Sequence, residues 1–166
     1  MNATHLHLML NHVAIMAAIF SALVFGFGWL RKNTSIIHVG LVGFVVAALT
    51  AIPVFLTGEP AEESVEHIPG IVETVIEQHE ESAELALWII EVAGVLAFTG
   101  LAMRANKFFS SSVFYGVLLV VSVASAASVA YTGYLGGQIR HTELGIASSA
   151  NGTTDGAQTQ AEGDDD

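Results

Sequence analysis

The chain has 166 residues, of which 52% are hydrophobic and only 13% charged, and its mean hydropathy is +0.60. That balance excludes an ordinary soluble domain. The formal net charge of −11 argues against nucleic acid as a partner, and the lack of cysteine excludes disulfides, thiolate ligands, cysteine nucleophiles and covalently attached c-type haem.

Four apolar runs reach membrane-spanning length, at about Leu8–Leu30, Ser35–Leu56, Ala83–Met103 and Ser112–Leu135. Each covers about 30 Å at the helical rise per residue. The expected architecture is an all-α integral membrane four-helix bundle over residues 1–144. An acidic outer loop spans 57–82, and the Gly/Ser/Thr/Asp-rich tail 145–166 reads as disordered. The first run lacks the basic start and small-residue cleavage site of a signal peptide.

In span one, Met9, His12, Met16, Leu23 and Phe27 share one helical face, with His5 above them. Span two carries Pro53, which should kink or stop its helix. The stretch TGEPAEESVEHIPG reads as a short helix ended by Pro69-Gly70. Helical spacing then restarts at Ile71, so the third long helix should begin several turns above the bilayer and enter it unbroken. His79 falls on the edge of its apolar stripe, beside the acidic face of Glu73, Glu77, Glu80 and Glu84.

Basic residues set the expected orientation. Arg31 and Lys32 lie between spans one and two, and Arg104 and Lys107 between spans three and four, which puts both short loops in the cytoplasm and both termini outside. The location expected is the inner (plasma) membrane. Nine glutamates and no Lys or Arg lie within 59–84, on the outer side. Of the histidines, only His38 falls near the cytoplasmic end.

A histidine inside a span has to face the bundle interior, because lipid leaves its ring nitrogens unsatisfied. His12 and His79 are therefore expected to meet near the outer leaflet, where two imidazoles could ligate a b-type haem from both axial sides. His141 is a reserve ligand and Arg140 a partner for a propionate. Ala83, Gly94 and Ala97 would give a flat macrocycle room. The same region also suits a divalent metal ion held by His12 and His79 with Glu63, Glu80 or Glu84, or copper with Met9 and Met16. The bland alternative is that these histidines cap the membrane interface.

Glu91 lies mid-span, where a lone carboxylate costs roughly 3 kcal/mol on insertion scales. Ser122, Ser125, Ser128 and Thr132 of span four, with Ser21 and Thr50, are its expected hydroxyl partners. Such a cluster could pass protons or pin helices together.

The opening His7-Leu8-Met9-Leu10-Asn11-His12-Val13-Ala14-Ile15 resembles the HPxLVHFPI start of a bacterial four-span family, the domain of unknown function 2231. Both histidines match, while Leu8 and Ala14 stand where that family has proline. Gly136-Gly137-Gln138-Ile139 is similar to its GGxLVY segment, with Arg140 and His141 following. The resemblance implies membrane redox work beside a periplasmic cytochrome or within a membrane complex, and points to His7, His12 and the Gly136–His141 turn. It implies no enzymatic activity. From the residues, the first expectation is a haem-binding electron-transfer protein, the second a metal-ion binding, sensing or transport protein, and the third a structural subunit.

Overall fold

Inside a bilayer a backbone can satisfy its N–H and C=O groups only internally, so each apolar run has to be helical. The computed structural model describes residues 3–63 and 73–140. It contains α1 (Ala3–Leu30), α2 (Thr34–Leu56), the short α3 (Gly58–Glu63), α4 (Glu73–Ala102) and α5 (Ser112–Arg140). All but α3 are long and apolar enough to cross a membrane. The chain is an integral membrane four-helix bundle, and α4 carries the expected acidic extension before its apolar part.

Connections are short and locally determined. Between α1 and α2, Lys32 takes a left-handed conformation with φ of 53°. The Asn33 side chain then caps α2 by accepting from the Ile36 N–H at 3.2 Å. Pro53 sits within α2 and does not end it, because the helix runs on to Leu56. The ring removes one N–H, while the Thr57 N–H and hydroxyl close back on the Pro53 carbonyl at 3.1 and 2.8 Å. The rest of the expected short helix beyond Glu63, with Pro69-Gly70, lies outside the described residues.

The four long helices pack in the ring order α1, α2, α4, α5, so α1 and α4 stand diagonally across the bundle. Small residues decide how closely they approach. A Cβ on Gly40 would lie 2.7 Å from the Phe25 backbone nitrogen, and one on Gly28 would lie 2.7 Å from that of Ile37. Gly94 of α4 takes Ala48 of α2 against its backbone. In lipid, where apolar side chains gain little by leaving the solvent, close van der Waals packing of this kind holds helices together.

The core has two characters. Toward the end bearing Arg31 and Arg104 it is bulky: Phe25, Leu41, Phe44, Phe114 and Leu118 are buried there with Ala93 and Ala97. Toward the other end it is mostly small, with Ala18, Ala47, Ala51 and Ala86 around Ile90 and Val129. Large apolar side chains such as Phe20, Leu49, Trp88, Phe98 and Val120 face outward, as lipid requires. The bundle is thus plugged at its basic end and slimmer-walled at its histidine end.

Candidate functional site

On α1 the small and polar residues His7, Asn11, Ala14, Ala18 and Ser21 recur at helical spacing and face inward. His7 is half-buried, and its Nδ1–H donates to the Val54 carbonyl of α2 at 3.0 Å. Across the bundle, half-buried His79 of α4 donates its Nδ1–H to the Thr132 carbonyl of α5, also at 3.0 Å.

A carbonyl oxygen can only accept, so each bond fixes the tautomer: the proton is on Nδ1 and Nε2 carries a free lone pair. Histidines that bind metals are held in this same way, with the other ring nitrogen donating to a carbonyl. A glycine flanks each ring. The Gly58 Cβ position lies 3.7 Å from His7 Cε1, and the Gly136 Cβ position 3.1 Å from His79 Cε1. Neither ring has a bulky neighbour there.

Asn11 completes the arrangement. It lies one turn along α1 from His7 and one turn from Ile15, whose Cδ1 meets Gly133 of α5. One turn further along α5, Gly136 lies against the His79 ring. The amide oxygen of Asn11 is buried and has no hydrogen-bond partner. Between α4 and α5, the Ser82 hydroxyl donates to Thr132 Oγ1 at 2.9 Å, and Thr132 donates on to the Ser128 carbonyl at 3.0 Å.

His12 is placed elsewhere. It is exposed, about 160° around α1 from buried Ala14, and its Nδ1–H donates to the Leu8 carbonyl of its own helix at 2.7 Å. The expected stripe of Met9, His12, Met16, Leu23 and Phe27 does exist, but every member of it is exposed. The expected approach of His12 to His79 is therefore not found, whereas His7 and His79 are both half-buried. Likewise, Gly94 and Ala97 offer no berth for a macrocycle, because both are buried, Gly94 against α2 and Ala97 in the core.

Glu63, Glu80 and Glu84 are all exposed. Among the described residues, no group of three or more His, Asp or Glu side chains comes together to hold a metal ion, which breaks up the expected set of His12, His79, Glu63, Glu80 and Glu84. His67 and His141 lie outside the described residues, as does the side chain of Arg140.

Glu91 does not join a hydroxyl cluster. Its Oε1 is buried without a partner. The hydroxyls of Ser122, Ser128, Thr132 and Thr50 donate to carbonyls of their own helices. Ser125 Oγ is itself buried and unpartnered.

The residues that composition alone does not single out are Asn11 and Ser82. A usable signal for Asn11 is its i, i+4 spacing from His7 on the small-residue face. No family model, no curated protein and no solved structure matches the chain.

Proposed function

We propose that this membrane protein holds a b-type haem near the histidine end of its bundle, with His7 and His79 as axial ligands, and transfers electrons. The observation that carries the reading is the shared anchoring of the two rings: Nδ1–H of each donates to a backbone carbonyl of a neighbouring helix, leaving two Nε2 lone pairs on diagonal helices. Cofactor sites in four-helix bundles are built in this way, from side chains on facing helices. Two imidazoles leave a bare divalent ion under-coordinated, but they fill both axial positions of a haem iron, whose other four donors come from the macrocycle.

The surroundings also fit the group. The small-residue core toward that end suits a flat apolar molecule better than the aromatic plug at the other end does. The haem would supply one-electron chemistry, while the protein would orient the imidazoles and exclude water from the iron. On this reading the residues at the start of α1 that resemble the domain of unknown function 2231 include a ligand, His7.

The test is optical. Protein purified from haem-replete cells is expected to show a Soret band and to yield haem b as its pyridine complex. His7→Ala and His79→Ala should each lose most of it, and His12→Ala should keep it. Colourless protein, or equal loss in all three variants, would defeat the proposal.

One observation favours a second reading. The buried, unpartnered Oδ1 of Asn11, one turn from His7 on the inward face of α1, would add an oxygen donor, which suits a bare transition-metal ion. Stoichiometric metal in colourless protein, lost in Asn11→Leu, would establish it.

A further inference from the structure

The end of the bundle opposite His7 and His79 has a charge that no described residue beside it balances. Arg31, Lys32, Arg104 and Lys107 all stand there, and all are exposed. Residues 1–58 and 92–140, which include the whole of that end, contain no Asp or Glu. Every described lysine and arginine side chain of the protein is therefore gathered at one end, with no described acidic residue beside it.

The loops that carry them are fixed. Lys32 sits in the left-handed turn position held by the Asn33 cap. The Arg31 guanidinium lies 6.0 Å from the Phe27 ring centroid. In the α4–α5 loop, Ser110 donates its hydroxyl proton to the Arg104 carbonyl at 3.0 Å, and the Phe108 N–H donates to Asn106 Oδ1 at 2.9 Å. Phe109 packs edge-on against both Phe108 and Phe114, each pair with ring centroids 5.2 Å apart.

Depth is set by the apolar side chains beside these loops. Leu30, Met103, Phe108 and Val113 are all exposed, and they form a collar immediately on the membrane side of the basic residues. A collar of that kind rests in acyl chains and the edge of the headgroup layer. The four cations then stand at headgroup level, on short loops, with no counter-ion among the described residues.

We infer that this end is a binding surface for acidic phospholipids, its basic side chains taking the headgroup phosphates while the collar contacts the acyl chains. A free phosphate would satisfy the charges but not the collar, and the collar is what commits the surface to lipid. The inference is independent of the haem proposal, because it uses no residue of the histidine end.

The chain has two tryptophans, Trp29 and Trp88. In Trp88→Phe, the remaining indole lies two residues from Arg31. This protein is reconstituted into phosphatidylcholine vesicles containing either brominated phosphatidylglycerol or brominated phosphatidylcholine, and quenching of Trp29 is compared at equal mole fraction.

Quenching is expected to show phosphatidylglycerol enriched beside Trp29 by about fivefold or more, and the enrichment to fall several-fold in R31Q/K32Q, which keeps Arg104 and Lys107. Equal quenching by the two lipids overturns the inference. So does an enrichment that survives unchanged in both R31Q/K32Q and R104Q/K107Q. Loss of the enrichment in excess inorganic phosphate, but not in chloride of equal ionic strength, would reassign the surface to free phosphate and also overturn it.

Discussion

His7 and His79 stand on diagonal helices and are each tied through Nδ1 to the carbonyl of a different neighbour, Val54 and Thr132. These bonds tie α1 to α2 and α4 to α5. Each ring is oriented by backbone, so its Nε2 is poised without help from any other side chain. Without a cofactor, the same bonds would simply pin the helices, which is why the histidine variants have to be read by spectroscopy as well as by stability.

Tight glycine contacts between α1 and α2 predict opposite outcomes at two glycines. Gly40→Ala should destabilise the protein by about 1–3 kcal/mol, since its Cβ would press on Phe25 backbone atoms that cannot move aside. Gly116→Ala meets nothing within 4 Å and should stabilise α5 by about 0.5–1 kcal/mol. Thermal unfolding in detergent, monitored by helical circular dichroism, checks both. A Gly40→Ala protein as stable as the parent would contradict the packing described.

Glu91 is predicted to be a liability for stability. Its buried Oε1 makes no hydrogen bond, so removing the carboxyl removes a desolvation cost and breaks no bond. Glu91→Leu should raise stability by about 1–3 kcal/mol. A fall in unfolding temperature would mean that the carboxyl is bonded after all, and that the proton-path idea needs to be reopened.

The Ser82–Thr132 hydrogen bond joins α4 to α5 directly beneath His79. A double-mutant cycle of Ser82→Ala and Thr132→Val should give a coupling of about 0.6 kcal/mol, the usual size for such bonds in membranes. Zero coupling would show that the two hydroxyls do not meet.

How much of this was legible beforehand depended on which physical rule the residues obey. The four helices were plain in the apolar runs, and α4's unbroken extension was plain in the restart of periodicity at Ile71. Facing was misread on α1, because Met9, Met16, Leu23 and Phe27 look like a core stripe. In water they would be one. In lipid, large apolar side chains face outward and small ones turn in, so the inward face was His7, Asn11, Ala14, Ala18 and Ser21. That inversion turns His7 inward and His12 outward. Asn11 and Ser82 were not legible as site residues, since nothing in the chain order says which helices pack side by side.

The central claim is that His7 and His79 together bind one haem iron, and electron paramagnetic resonance of the ferric protein tests it most directly. The account predicts a low-spin bis-imidazole signal in the parent protein and in His12→Ala. In His7→Gly the low-spin signal should be lost, and imidazole added with haem should restore it. A low-spin signal that persists in both His7→Gly and His79→Gly, or no haem signal in the parent, would contradict it.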